Sequence, residues 1–390
     1  MNTCTATRLR AAEASVTVMS HSDAVTDWVR RYFGPWWSAE HVPAQQDSPS
    51  PVVRADIDPA YYADLAATVA DHLGEETIYA RAPMLVTRHD GEGTVTAVSP
   101  EHRLAYYSEP GRMCLTIAGC DTQAVAMAAC RLARDTVRGA LLRGGWALLH
   151  GSAVVHDGGA VLTFGAKGAG KTTTALLLAT RGWELLANDR IFVRPDPTTG
   201  QVRILPWPSA AALGLGLLDA LGLYDSAHQR VLAGEALHPT QDQRVTDALL
   251  AGRREPLWEA SGRELKAQVF PDQFASWFGL NLATGGNATA LIFPSIAPDA
   301  APAIVDAART LGDHDFMRGA TEDRYPDVFG LAGGVDGGGR AEARSAVAEQ
   351  LAPLPHHCVV LGHRAAANAD FLVKLVSAGG ATRRAARAPS

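Results

Sequence analysis

The run Gly159-Ala160-Val161-Leu162-Thr163-Phe164-Gly165-Ala166-Lys167-Gly168-Ala169-Gly170-Lys171-Thr172 carries the strongest signal in this 390-residue chain. Its last eight residues fit the phosphate-binding pattern G-x-x-x-x-G-K-[ST]. The stretch before them is short, apolar and β-branched, which predicts a buried strand feeding a glycine-rich turn. The stretch after them, Thr173 to Thr180, is rich in Ala and Leu and predicts a helix. Strand, loop and helix in that order aim backbone N–H groups and a positive helix end at a polyphosphate. Gly165 and Gly170 permit backbone conformations closed to other residues, Lys171 reaches the outer phosphates, and the Thr172 hydroxyl suits Mg²⁺. Gly168, Ala169 and Thr173 complete the nucleotide-contacting set. The plain alternative is a glycine turn between a strand and a helix.

Composition narrows the classes. The length suits two domains of unequal size. A formal net charge of −6 and a sequence pI of about 6.1 argue against a nucleic-acid scaffold, since only Arg383 to Arg387 is locally basic. Five cysteines, scattered and without a C-x-x-C pair, indicate neither a disulfide framework nor a zinc site. No run reaches about 18 apolar residues, and the N-terminus lacks a signal-peptide pattern. The expectation is a cytoplasmic protein without membrane association.

Residues 1–143 read as an N-terminal α+β module. A helix is expected over Asp23 to Phe33 and a loop over Ala44 to Pro51. Strands follow at Thr77 to Thr87, Thr94 to Val98, Arg103 to Tyr107 and Arg112 to Ala118, separated by turn signals that include Asp90-Gly91-Glu92-Gly93. These strands suggest a small antiparallel sheet. A long helix spans Thr122 to Arg143, capped by Asp121 or Thr122 and ended by Gly144-Gly145. Trp36-Trp37 reads as packing for this module rather than as a stacking platform for substrate.

Residues 144–390 alternate strands and helices. Strands are expected at Ala147 to Val155, Ala160 to Phe164, Glu184 to Ala187, Ile191 to Val193, Ala290 to Pro294 and Cys358 to Leu361. Helices are expected at Ser209 to Leu223, Ala341 to Leu351 and Ala365 to Ser377. Gly333 to Gly339 reads as a flexible linker in preference to a lid.

A phosphate loop alone does not separate a kinase from a mechanical ATPase, so its neighbours matter. His150 lies in the apolar run Leu148-Leu149-His150-Gly151-Ser152-Ala153 on a predicted strand, where it faces chemistry or serves as a core histidine. Asp189 follows the hydrophobic run Leu185-Leu186-Ala187, as suits a carboxylate at a strand end that faces Mg²⁺ or accepts a proton; a turn Asp is the alternative. Arg190 comes next, suited to contact phosphate or to pair with Asp189. His356-His357 and His363 lack a spacing that would gather three metal ligands, and Asp313-His314-Asp315 reads as a turn.

The segment from His150 to Asp189, with a histidine-glycine on a strand, the phosphate loop and an acidic strand end after Arg181-Gly182, resembles the catalytic domain of the HPr kinase/phosphorylase family. The resemblance covers a small part of the chain, but three motifs agree in order and separation. It implies an α/β P-loop kinase core of the HPr kinase and phosphoenolpyruvate carboxykinase type, and transfer of the ATP γ-phosphoryl group to a hydroxyl. It also implies that Lys171 and Thr172 hold phosphate and Mg²⁺, that His150 sits beside the transferred group, and that Asp189 is one of an acidic pair. Two departures stand out. Asn188 occupies the place of the first aspartate, and an amide cannot take a proton as a carboxylate does. Thr173 stands where members acting on HPr carry an acidic residue, and their glycine-rich C-terminal signature is missing. HPr serine kinase/phosphorylase activity is therefore the weakest expectation.

The remaining chain is closer to HPr-kinase-related enzymes of natural-product pathways, including kinases of lasso-peptide precursors. That likeness rests on Arg131 to Asp135, Gly262 to Lys266, Leu291 to Pro294 and Leu354-Pro355. Arg263 and Lys266 are candidate phosphate or acceptor contacts, with solvated surface charge as the alternative. The expected function is an ATP- and Mg²⁺-dependent phosphotransferase acting on a small hydroxylated metabolite or a precursor-peptide serine, with the N-terminal module presenting the acceptor. A regulatory or scaffold ATPase is the alternative, and homo-oligomers are frequent in the family.

Overall fold

A two-residue turn at Ala80-Arg81 joins two antiparallel strands at one edge of the first sheet. Both residues adopt positive φ, 55° and 72°, the backbone twist that closes a tight antiparallel hairpin. The expected strand Thr77 to Thr87 is therefore two strands, Glu75–Tyr79 and Ala82–Arg88. The computed structural model describes residues 4–44, 50–72, 74–89, 93–317, 326–335 and 337–386. Residues 45–49 of the expected loop Ala44 to Pro51, residues 90–92 of the turn Asp90 to Gly93, position 336 of the glycine run, and Arg387 lie outside the described residues.

The chain is a mixed α/β protein that divides into two units, Met1–Trp146 with Met317–Arg340, and Ala147–Phe316 with Ala341–Ser390. In the first unit the expected small antiparallel sheet is instead a nine-stranded mixed sheet. Its order is Ser38–Val42, Thr5–Ala11, Ala14–Ser20, Val52–Ile57, Cys114–Gly119, Leu104–Glu109, Val95–Ser99, Ala82–Arg88 and Glu75–Tyr79. Val52–Ile57 runs parallel to both of its neighbours, and the other pairings are antiparallel. The strands that sequence reading passed over, Thr5–Ala11, Ala14–Ser20, Ser38–Val42 and Val52–Ile57, mix polar with apolar residues, and the hairpin joining the first two has no glycine. The helix Asp23–Phe33 buries Val25, Val29, Tyr32 and Phe33 along one stripe. Trp36 and Trp37 are buried, and Trp37 stacks on Phe33 with centroids 5.2 Å apart, so the pair is packing.

The helix Thr122–Arg143 is capped by the Asp121 carboxylate, which accepts from Ala124 N–H at 2.8 Å, and ends at Gly144. Gly139 lets residues Leu331 and Ala332 lie directly on it: a Cβ there would come 2.0 Å from the Leu331 carbonyl oxygen.

In the second unit the central sheet runs Ala147–His150, Arg190–Pro195, Val202–Pro206, Gly286–Ile296, Gly159–Thr163, Ser152–His156 and Glu184–Ala187. His356–Leu361 adds parallel to Gly286–Ile296, so His356 and His357 lie within a strand rather than in the loop before one. The expected strand Ala147 to Val155 breaks at Gly151, because its two halves pair with different partners. A Cβ at Gly151 would meet the Phe164 ring at 2.7 Å. The expected helix Ser209 to Leu223 is a short strand, Ala211–Leu213, paired with Ala267–Val269, followed by the helix Leu215–Ala220. Pairing with a distant strand overrides local helix propensity there. Leu149, Leu162, Phe164, Ile191 and Leu291 are fully buried in the shared core. Among the described residues no helix is long and apolar enough to cross a membrane.

Candidate functional site

The strand Gly159–Thr163 is buried against Gly286–Ile296, and the Phe164 N–H continues the ladder by donating to the Ile292 carbonyl at 3.0 Å. The chain then turns through Gly165, Gly168 and Gly170, with φ of 155°, 86° and 103°. Two of these glycines answer crowding as well as conformation. A Cβ at Gly165 would lie 2.9 Å from Ala169 Cβ, and one at Gly170 would lie 2.8 Å from Ile296 Cδ1. The helix begins at Lys171 and runs to Ala179, with no side chain capping its start. Its first amides therefore face the loop, the arrangement that takes up an anion.

Lys171 is buried at this turn, and its Nζ donates to the Gly165 and Ala166 carbonyls at 2.7 and 3.2 Å. The cation is thereby held across the loop mouth. The Thr172 hydroxyl donates to the Asn188 carbonyl at 3.2 Å, which ties the loop helix to the end of the strand Glu184–Ala187. Ser152, fully buried, donates to the Lys171 carbonyl at 2.8 Å.

His150 and Asp189 are brought together by strand register. His150 stands opposite Arg190 on the antiparallel partner strand, which sets the preceding residue, Asp189, beside the imidazole. Nε2 of His150 lies 3.3 Å from Asp189 Oδ1, and Arg190 Nε lies 3.4 Å from Oδ2, so both carboxylate oxygens face a cationic or N–H group. Burial pushes the Asp189 carboxyl up, but the His150 hydrogen bond, the Arg190 charge and the Lys171 charge together outweigh it and hold the group below the usual carboxylate range. The Asp189 side chain nevertheless keeps 43 % of its surface accessible, so it can meet a ligand from solvent. Arg190 is steadied from behind by Trp207, its guanidinium carbon 5.4 Å from the ring centroid.

Asn188 is buried, and its Oδ1 has no hydrogen-bond partner. A buried acceptor left unpaired costs about 1–3 kcal/mol and calls for an explanation. Its own carbonyl takes the Thr172 hydroxyl, and Asp189 follows it in the chain.

The donor set fits a hard cation that draws most of its ligands from phosphate and water. Mg²⁺ characteristically takes one or two protein oxygens together with substrate phosphates. Thr172 Oγ1 and the Asp189 carboxylate supply oxygens of that kind. Among the described residues no group of three or more His, Cys, Asp or Glu side chains is gathered to hold a metal by protein ligands alone.

Arg263 and Lys266 pair elsewhere. Arg263 binds Glu259 at 2.6 Å at the hairpin formed by Leu257–Trp258 and Glu264–Leu265, and Lys266 pairs with Glu264 at 3.2 Å. Asp313–Asp315 is a single 3-10 turn whose buried Asp315 accepts from Arg309 at 2.8 Å. His356 bonds the Leu351 carbonyl at 3.2 Å. Sequence reading missed Ser152, the Asn188 carbonyl and Trp207 as parts of this cluster. A signal existed for Ser152 alone: it lies two residues past His150 and heads the apolar run Ala153-Val154-Val155, where a hydroxyl needs a partner.

No protein-family model matches this chain, and no curated protein matches it.

Proposed function

We propose that the chain is an ATP- and Mg²⁺-dependent phosphotransferase of the HPr-kinase-like type, moving the γ-phosphoryl group to a hydroxyl of a small metabolite or a peptide serine. The observation that carries this reading is the 3.3 Å contact between His150 and Asp189, alongside a loop whose Thr172 is bonded to the neighbouring Asn188 carbonyl. A phosphate loop needs no such pair to bind nucleotide. A reaction that removes a proton from an attacking hydroxyl gains from a positioned base, and a histidine oriented by a carboxylate can supply one.

Each residue then has a stated task. The amides at the start of Lys171–Ala179 and the Lys171 ammonium hold the polyphosphate. Thr172 and Asp189 would hold Mg²⁺, which would supply neutralisation of phosphate charge. His150, oriented by Asp189, takes the hydroxyl proton as the oxygen approaches in line. Arg190 keeps Asp189 ionised and in place. Phosphoryl transfer is largely positioning and charge stabilisation, so a single retained aspartate is compatible with turnover.

Asn188 favours a second reading, a nucleotide-dependent regulatory ATPase without transfer. Its amide leaves the pair of carboxylates expected from the resemblance incomplete. The two readings part on the fate of label. With γ-labelled ATP, Mg²⁺ and a small-molecule and peptide extract of the organism that encodes the chain, the proposal expects label in an organic phosphate that survives removal of free phosphate. Label confined to free phosphate would establish the ATPase reading instead.

A further inference from the structure

We infer that Ser152 is a positioning residue that locks the phosphate loop to the strand carrying His150, an inference that rests on the phosphotransferase reading of the site. Its hydroxyl is fully buried and donates to the Lys171 carbonyl at 2.8 Å, nineteen residues away in sequence. Its backbone stands in antiparallel register with Thr163, the last strand residue before the loop. One residue therefore touches both feet of the loop, Thr163 by its main chain and Lys171 by its side chain.

The same segment reaches toward the other half of the site. Ser152 is two residues from His150, and the intervening Gly151 is packed so closely on Phe164 that a Cβ there would lie 2.7 Å from the ring and 3.0 Å from the Thr163 carbonyl oxygen. Little slack remains between His150 and Ser152. The offset between the histidine at the acceptor and the lysine at the donor is thus set through a chain of short contacts: His150, Gly151 on Phe164, Ser152 on Lys171. A misplacement of about 1 Å between reacting groups costs on the order of 100-fold in rate. Ground-state grip on ATP, by contrast, comes from the loop amides and Lys171, which the Ser152 bond does not supply. Loss of the hydroxyl should slow chemistry and spare affinity.

The test compares Ser152→Thr with Ser152→Val, which have nearly the same volume and differ in the hydroxyl, so any crowding by the added methyl group is common to both. Ser152→Ala serves as a third variant. For each folded protein, ATP affinity is measured by titration, and the single-turnover loss of γ-phosphate from labelled ATP is followed, counting label in organic and in free phosphate. The inference expects Val and Ala to lower the single-turnover rate about 10- to 100-fold with ATP Kd within about threefold of the parent, and Thr to restore most of the rate. A rate for Val equal to that for Thr, or a loss of affinity that accounts for the whole effect, overturns it. If the unsubstituted chain releases label as free phosphate alone, the phosphotransferase reading falls by itself. The Ser152 inference is then judged on the hydrolysis rate by the same Thr-to-Val ratio.

Discussion

His150 Nε2 and Asp189 Oδ1 sit 3.3 Å apart because the strands Ala147–His150 and Arg190–Pro195 pair in the register that opposes His150 and Arg190. The contact is a product of sheet geometry, and removing the imidazole should leave the backbone intact. His150→Ala is expected to lower phosphoryl transfer about 10²- to 10⁴-fold while ATP Kd changes by less than about threefold. Retained transfer with unchanged kcat would take His150 out of the chemistry. Loss of folding would assign it to the core.

The lowered pKa of Asp189 links this contact to acid stability. A carboxyl whose folded pKa lies below its unfolded value contributes stability that is present above the unfolded value, about 3.9, and is lost as pH falls through the folded one. The Tm advantage of the parent over Asp189→Asn should therefore be full at pH 6 and shrink below about pH 4. Thermal melts at pH steps from 6 to 2 check this. His150 provides the leading favourable contact, so His150→Ala should move the window toward higher pH. A Tm gap between parent and Asp189→Asn that is flat across the series would contradict the assignment.

Lys171 donates to Gly165 and Ala166 carbonyls across the loop mouth. Charge-assisted hydrogen bonds are worth about 1.5–3 kcal/mol each, so Lys171→Ala should weaken ATP binding on the order of 10- to 100-fold and shrink the nucleotide-induced rise in Tm correspondingly. Isothermal titration together with melts in the presence of ATP and Mg²⁺ measures both. An undiminished shift would remove Lys171 from the phosphate site.

Much of the site was legible in sequence because its constraints are local. The loop glycines sit at positive φ, the strand before them is apolar, and Asp189 ends a hydrophobic run; each is a statement about neighbours in the chain. The helix Asp23–Phe33 and the helix Thr122–Arg143 with its Asp121 cap were legible for the same reason. What sequence did not yield depends on partners far away. The turn at Ala80-Arg81 uses positive φ without glycine or asparagine, and Ala12 does the same at φ 48° between Thr5–Ala11 and Ala14–Ser20. Hairpins closed by such residues carry no turn signature. Ala211–Leu213 became a strand through pairing with Ala267–Val269, over fifty residues on. Arg263, close to Glu259 in sequence, was open to both readings, and its ion pair with Glu259 is a surface one.

Gly151 offers a stability test free of nucleotide. A Cβ there would meet Phe164 ring carbons at 2.7 and 2.9 Å and the Thr163 carbonyl oxygen at 3.0 Å, with Phe164 fully buried. Gly151→Ala should destabilise by about 1–3 kcal/mol. Gly111, where an added Cβ meets nothing within 4 Å, is the control and should be nearly neutral on substitution by Ala. Denaturant melts of the two variants compare them directly. Equal stabilities would show that the segment around Gly151 shifts freely.

Asn188 sets an opposed pair of expectations. Because its buried Oδ1 is unpaired, Asn188→Leu should raise stability by up to about 1–3 kcal/mol in the absence of ligand while lowering the Mg²⁺-dependent gain in nucleotide affinity. Asn188→Asp places a second carboxylate beside Asp189, which raises one of the two pKa values and makes stability more dependent on Mg²⁺. Melts with and without Mg²⁺ and ATP read both. If Asn188→Leu neither stabilises the protein nor blunts the Mg²⁺ response, the orphan oxygen is unrelated to the site.

The most direct test of the phosphotransferase account is a single-turnover assay with γ-labelled ATP, Mg²⁺ and acceptor extract, run on the parent, Lys171→Ala and His150→Ala together. The account expects label in an acid-stable organic phosphate with the parent, none with Lys171→Ala, and with His150→Ala a rate reduced at least 100-fold although ATP remains bound. Label appearing only as free phosphate with the parent, at a rate indifferent to His150, would contradict it.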